Sequence, residues 1–429
     1  MRACVIGTGY VGLVTGVCLA DMGHTVHCVD NDTKKIDKLH KNVMPIYEPG
    51  LEELVVKNKN DGRLSFSTSI AQGVRESDII FISVQTPPKP NGEADLSAVA
   101  NVSREIASHM DSYKIIVDKS TVPVHTGEKV AETIKRYNKH NIDFDVVSNP
   151  EFLREGSAIY DTMHPDRIVI GTNSVRAAKI LQELYSPLKA PVIVTDIKSA
   201  EIIKHASNSF LAMKISYINA LAQICEKVGA DIEKVAEGMG LDKRIGRAFL
   251  NAGIGYGGAC FPKDVSAFIR IAEKLNYDFK LLKCVEEINK QQRMNIVKKI
   301  EDTLWVLDDK TIGILGIAFK PNTDDIRNAP SLDIIEALQK DGAEIKAYDP
   351  QAMENAKGVL KNVTYCKDPY EVINGADALV ILTEWDEFKN IDLERVRKSL
   401  THPIIVDARN MFDPAEMEEK GFVYKSIGR

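Results

Sequence analysis

Apolar positions along this chain keep two spacings by turns. Unbroken apolar-rich runs occur at Ala3–Ile6, Thr25–Val29, Asp78–Val84, Lys114–Asp118, Asp145–Ser148, Arg167–Ile170 and Pro191–Val194. Between them apolar residues recur every three or four positions, as from Leu13 to Met22, where Gly23 ends the pattern. Strands alternating with helical segments predict a parallel sheet covered on both faces. In such a sheet, ligands sit beyond the carboxyl ends of the strands. Three runs end in polar tails, Gln85-Thr86-Pro87, Lys119-Ser120-Thr121-Val122-Pro123 and Asn149-Pro150-Glu151, which are therefore expected to point at one crevice.

From Ser199 to Val228 the spacing turns helical without a break. Ile202, Ile203, Ala206, Phe210, Met213, Tyr217, Ile218, Leu221, Ile224 and Val228 mark its apolar positions, and Gly229 can end it. So long a helix predicts a connector between two lobes, packed against a second subunit, with a helical region continuing to about residue 300. Thr311–Ile317, Glu344–Asp349 and Asp377–Leu382 then repeat the first strand and turn, the second strand with its terminal acid, and the third strand. The expected fold is α/β: two Rossmann-like doubly wound domains, residues 1–198 and 301–429, joined by a helical linker and dimerisation domain over 199–300.

Composition narrows the function. The chain has 429 residues, a net charge of −6 spread along its length, and no apolar stretch of transmembrane length. It gives no sign of a nucleic-acid patch or a membrane span. Seven scattered cysteines do not form a disulfide framework and fit a reducing cytoplasm. No Cys-x-x-Cys or His-Glu-x-x-His spacing suggests a metal.

Two motifs carry chemistry. Gly7, Gly9 and Gly12 form Gly-x-Gly-x-x-Gly between the first strand and the first helix, and the second run ends in Asp30, eighteen residues after the last motif glycine. A tight turn, a helix N-terminus for a pyrophosphate and an acid for a ribose together predict dinucleotide binding. Asp30 favours NAD, because a carboxylate repels a ribose phosphate; Lys35, a turn or so later, works against that preference. The other motif is Gly255-Tyr256-Gly257-Gly258-Ala259-Cys260-Phe261-Pro262-Lys263-Asp264. Cys260 follows glycines that let backbone approach a ligand, and it precedes a proline able to open a helix. A helix N-terminus and a nearby lysine favour thiolate, the nucleophilic form. Asp264 falls one turn later, placed to orient a water or a proton. Lys204 and Asn208, four apart, share one face of the long helix. Asn149-Pro150-Glu151 has a second meaning as a helix start: a cap, a first-turn proline and an acid that complements the dipole.

With the fingerprint, Asn149–Gly156 and Gly257–Asp264 taken together, the chain resembles the UDP-glucose/GDP-mannose dehydrogenase family over essentially its whole length. The resemblance implies oxidation of the primary alcohol of a nucleotide sugar, here UDP-glucose, to a carboxylate with two NAD in succession. It implies that Cys260 forms a thiohemiacetal and then a thioester. Lys204 and Asn208 would lie near the reacting oxygen, with Asp264 on the hydrolytic water and Glu151 as a further acid–base. Gly7, Gly9, Tyr10, Val11, Gly12, Asp30, Lys35, Thr86, Thr121, Glu155, Lys263 and Arg327 would contact the cofactor, and Thr121 would also belong to the catalytic set. Glu151, Phe152, Leu153, Arg154 and Glu155 would contact the substrate, with Phe249, Leu250, Asn251, Ala252, Gly253 and Gly257. Phe319 and Lys320 would dock the uridine diphosphate, and Arg244 would cross from the neighbouring subunit of a homodimer. Ala259 departs from the serine common in the family. Two alternatives stand: the same chemistry on a UDP-N-acetylhexosamine or GDP-mannose, or an NAD-binding sensor without catalysis.

Overall fold

The computed structural model describes the chain from Met1 to Arg429. It divides into two compact units, one of Met1–Ser207 with Ser266–Asn276, the other of Asn208–Val265 with Tyr277–Arg429.

The first unit holds β1 (Arg2–Ile6), β2 (Thr25–Val29), β3 (Leu64–Ser67), β4 (Ile79–Ile82), β5 (Lys114–Asp118), β6 (Phe144–Ser148), β7 (Ile168–Gly171) and β8 (Val192–Thr195). Their order across the sheet is β3-β2-β1-β4-β5-β6-β7-β8. Strand side chains alternate between faces, and both faces are dry. Ala3, Val5, Phe81 and Val117 join one core with Leu13 and Val17, while Cys4, Ile6, Ile80, Ile82 and Ile116 join another with Val102 and Ile106. Burying each large apolar side chain stabilises the fold by about 1.5–3 kcal/mol, which is why these runs show no polar alternation. Neighbouring strands are parallel except β6 and β7, which meet antiparallel with Ser148 opposite Gly171.

The second unit holds β9 (Thr311–Leu315), β10 (Glu344–Tyr348), β11 (Val363–Tyr365), β12 (Ala378–Ile381), β13 (Ile404–Asp407) and β14 (Val423–Lys425) in the order β11-β10-β9-β12-β13-β14. This repeats the order of the first six strands of the other sheet. A single core joins Ile312, Ile314, Val380 and Ile405 of the sheet to Ile218, Ala222 and Cys225 of the long helix.

That helix runs Ile197–Val228, 32 residues, or about 48 Å at 1.5 Å per residue. Gly229 follows at φ +72. The expected helical continuation is broken, however: between the helices Ile232–Gly240 and Phe261–Lys274 the chain is irregular. Gly246, Phe249, Gly255 and Gly258 have φ of +69, +66, +97 and +82, and no right-handed helix passes through that region. A second correction concerns Asn149-Pro150-Glu151, which starts no helix; the next one is Ala158–Met163. The would-be cap is engaged elsewhere. Asn149 Nδ2 donates to the Val169 carbonyl at 2.7 Å, while its Oδ1 accepts from Lys119 Nζ at 3.1 Å and from the Tyr185 hydroxyl at 2.6 Å.

Candidate active site

In the first unit, the turn after β1 needs its glycines for different reasons. Gly7 has φ +105, and a Cβ there would sit 2.5 Å from the Ser83 carbonyl oxygen. At Gly12 a Cβ would lie 1.9 Å from the Gly7 carbonyl oxygen. Both glycines serve close packing of strand, turn and helix. Gly9 differs: a Cβ there would meet nothing within 4 Å. It caps the helix Tyr10–Asp21 without a side-chain hydrogen bond, and no acid lies in the first turn. Open space over uncapped N–H groups fits a pyrophosphate.

Asp30, at the end of β2, accepts from the Thr8 N–H and hydroxyl, both at 2.8 Å, and from the Asp32 N–H at 3.0 Å. Burial pushes its carboxyl up, but these hydrogen bonds and the Lys35 ammonium 3.8 Å away outweigh that, leaving it below its ordinary range. An ionised Asp30 fits the ribose hydroxyls of NAD.

The three polar tails do converge. The Thr86 hydroxyl donates to the Thr121 carbonyl at 2.9 Å, the Asn149 N–H to the Asp118 carbonyl at 2.9 Å, and Lys119 Nζ to Asn149 as above. At their centre Lys204 Nζ donates to both the carbonyl and the carboxylate of Glu151, each at 2.8 Å. The two side chains are 4% and 5% exposed, so Lys204 is no solvated helix residue. Glu151 also accepts the Leu153 N–H at 2.9 Å. Burial draws Lys119 down to about 8, opposed by Glu151 and aided by Lys204. Glu155 is buried, whereas Arg154 is tied to Asp161 through two guanidinium bonds of 3.0 and 2.7 Å.

Sequence reasoning passed over Asp118, because it closes an apolar run. It is 1% exposed, and neither carboxylate oxygen makes a hydrogen bond. Burial and the Glu201 carboxylate raise its pKa well above the ordinary value. The native state therefore holds a proton that the unfolded chain releases above about pH 4, and stability falls as pH rises from there toward the native pKa. Asp118→Asn should raise Tm at pH 8 and change it little near pH 4. Equal effects of the substitution at both pH values would contradict this.

In the second unit, Cys260 is exposed and its carbonyl accepts the Asp264 N–H at 2.8 Å, so the cysteine caps the helix Phe261–Lys274. Asp264 is 1% exposed. Its Oδ2 accepts from Asn208 Nδ2 at 2.6 Å, while Oδ1 accepts no hydrogen bond and has the Lys263 ammonium 3.7 Å away. Asn208 stands one turn beyond Lys204 on the long helix. A buried carboxylate with one oxygen held and the other open suits the polarisation of a water.

The glycines before Cys260 admit the protein's own groups. A Cβ on Gly255 would meet Asn289 Oδ1 at 2.4 Å, on Gly257 the Asn328 carbonyl at 2.5 Å, and on Gly258 the Phe319 ring at 2.8 Å. The loop is thereby clamped onto the turn after β9, and the Gly258 N–H donates to the Arg327 carbonyl at 2.8 Å. Phe249 takes a left-handed φ, Leu250 and Ala252 are buried, and Asn251 accepts from Arg247 at 2.6 Å. The Gly253 backbone is held by Asn219 at 2.9 Å and Gln292 at 2.8 Å. Lys320 lies over the ring of its neighbour Phe319. Arg327 makes two bonds to Asp325, at 2.7 and 2.8 Å, and Arg244, 89% exposed, folds onto Asp242.

Arg409 was missed. Its guanidinium donates to the Leu382 carbonyl at 2.7 Å and the Phe319 carbonyl at 3.0 Å, in the same neighbourhood as Gly253. Its only sequence signal was position just past a strand. The second sheet also explains its lack of a dinucleotide fingerprint. Asp349, in the place of Asp30, is 1% exposed and accepts from Ile317, Ala318, Gln351, Ala352 and the Trp385 indole. No acceptor capacity is left there for a ribose.

Two doubly wound nucleotide folds, one with a dinucleotide cradle and an ionised ribose acid, define an NAD-dependent oxidoreductase. Comparison with known proteins places it further. Residues 1–189 match the NAD binding domain of the UDP-glucose/GDP-mannose dehydrogenase family, residues 198–291 its central domain, and residues 313–414 its UDP binding domain. The chain belongs to that family. It is 52% identical over 429 residues to UDP-glucose 6-dehydrogenase TuaD of Bacillus subtilis, covering all of this chain and 93% of that one. It is 46% identical to a UDP-glucose 6-dehydrogenase of Rhizobium meliloti, with both chains covered in full. Among solved structures, a UDP-glucose dehydrogenase of Pyrobaculum islandicum superposes with a TM-score of 0.93 at 39% identity, over 99% of this chain and 96% of that one.

Proposed function

We propose that this protein oxidises UDP-glucose to UDP-glucuronate with two NAD in succession. The observation that carries the reading is Cys260 at the head of a helix whose next turn bears the buried Asp264–Asn208 pair, in a chain similar along its whole length to UDP-glucose 6-dehydrogenases. NAD, when bound, accepts a hydride at each of two oxidations. Gly7, Gly9, Tyr10, Val11, Gly12 and Asp30 hold it, with Lys35, Thr86, Thr121, Glu155, Lys263 and Arg327 as further contacts.

The first oxidation turns the primary alcohol into an aldehyde, which lacks a second hydride that leaves readily. The Cys260 sulfur adds to the aldehyde carbon to form a thiohemiacetal, and its oxidation yields a thioester. Water then cleaves the thioester, returning the thiol and releasing the carboxylate. Lys204 and Asn208 stabilise negative charge on the reacting oxygen. Asp264 accepts a proton from the hydrolytic water through its open oxygen, and Glu151 holds the Lys204 ammonium in place.

Substrate contacts are assigned to Glu151–Glu155, Phe249–Gly253, Gly257, Phe319 and Lys320, with Arg244 given by a second copy of the chain. Support for a homodimer comes from Phe210, Tyr217 and Ile224, which recur every seven residues on the long helix and are 57%, 50% and 56% exposed. No helix is long and apolar enough to cross a membrane; we place the protein in the cytoplasm on its odd, scattered cysteines.

NADH formed per UDP-glucose consumed tests the reading. Two are expected, with UDP-N-acetylhexosamines and GDP-mannose slow. One NADH per sugar would remove the covalent route, and faster turnover of another nucleotide sugar would move the substrate. That second reading has its own support: a UDP-D-ManNAc dehydrogenase of Pyrococcus horikoshii superposes with a TM-score of 0.87 at 29% identity.

A further inference from the structure

Arg167 stands immediately before β7, and the direction of that strand decides where the residue ends up. Ser148 lies opposite Gly171 in the antiparallel step between β6 and β7. Continued past the strand ends, that register sets Asn149 opposite Ile170, from where its amide reaches the adjacent Val169 carbonyl at 2.7 Å, and Phe152 opposite Arg167. A β7 running parallel to its neighbour would have left Arg167 at the amino end of the sheet, away from the polar tails. The reversal carries it to the carboxyl end, beside Glu151.

There the Arg167 guanidinium carbon sits 3.6 Å from the centre of the Phe152 ring, and Lys204 Nζ lies 5.5 Å from the same ring. Arg154, the arginine of the neighbouring loop, is spent on the Asp161 carboxylate. Arg167 is half-buried and makes no hydrogen bond to any side chain or carbonyl of the chain, although Asp166 and Glu151 are near enough to act on its charge. A guanidinium stacked on an aromatic face keeps its N–H edge free to the side of the ring, and that edge matches paired oxygens of a phosphate or carboxylate.

The geometry points to Arg167 as a ligand-binding residue of this site, its N–H edge taking an oxyanion of the nucleotide sugar. The inference rests on the function proposed above. Two groups on those ligands have this chemistry: the diphosphate, present throughout, and the carboxylate, present only in the product.

Full-length wild type, Arg167→Gln and Arg167→Lys, titrated calorimetrically with UDP, UDP-glucose, UDP-glucuronate and NADH, separate them. Losing a charge-assisted hydrogen bond is expected to weaken binding roughly tenfold to a hundredfold in the glutamine variant, with part of the loss restored by lysine and NADH affinity unchanged. Equal weakening of UDP, UDP-glucose and UDP-glucuronate assigns the diphosphate. Weakening of UDP-glucuronate alone assigns the carboxylate. Unchanged affinities, or a parallel loss of NADH binding with a lower Tm, would overturn the inference and leave Arg167 a purely structural partner of Phe152. A wild type that binds none of the three uridine nucleotides would overturn the functional reading and this inference with it.

Discussion

Alanine in place of Cys260 is expected to end acid formation, lowering UDP-glucuronate production by on the order of 10⁴-fold or more, as removal of a covalent nucleophile does elsewhere. Cys260 is exposed, and its backbone carbonyl accepts the Asp264 N–H at the head of the helix. Alanine keeps that hydrogen bond, so Tm and NAD affinity should stay near wild type. Loss of rate with fold and cofactor binding preserved would place the cysteine in the chemistry. Acid production within tenfold of wild type would sink the covalent role.

Alanine in place of Lys204 should damage two properties at once. The ammonium donates to both the carbonyl and carboxylate of Glu151, with both side chains buried. Its removal leaves an uncompensated charge away from water, a loss of about 3–5 kcal/mol. At about 2–4 °C per kcal/mol for a unit of this size, Tm should drop by roughly 6–20 °C. Turnover should fall by about 10²–10³-fold as well, if the ammonium stabilises the reacting oxygen. The double variant Lys204→Ala/Glu151→Gln separates the two effects. Neutralising Glu151 should recover most of the lost Tm and none of the rate. Recovery of the rate together with Tm would mean that Lys204 serves only to hold Glu151. An unchanged Tm in the single variant would contradict the buried pair itself.

Most of the first sheet was legible because its central strands are buried on both faces and contain almost nothing polar. The same test overlooked β3, β11 and β14, short strands at sheet edges with exposed alternate residues, and it overlooked the buried β13 as well. From about residue 241 to 260 the backbone is irregular within what was expected to be a helical region, and the positive φ of Phe249 is invisible to any spacing rule. The glycines before Cys260 were noticed, but their occasion was not: they admit Asn289, Asn328 and Phe319.

By itself the sequence determined the elements, the strand–glycine–helix turn with Asp30, and the cysteine at a helix start with Asp264 one turn on. These depend on residues within about twenty positions of each other, and short-range sterics and hydrogen bonding constrain them directly. Tertiary structure alone decided that Lys204 is locked to Glu151 fifty-three residues away, that Asn149 is no helix cap, and that Asp118 is buried without a partner. It also decided the antiparallel β7 that sets Arg167 against Phe152. Those outcomes depend on which strands pair and in which direction. That choice is made by burial of whole faces, and no local run of residues records it.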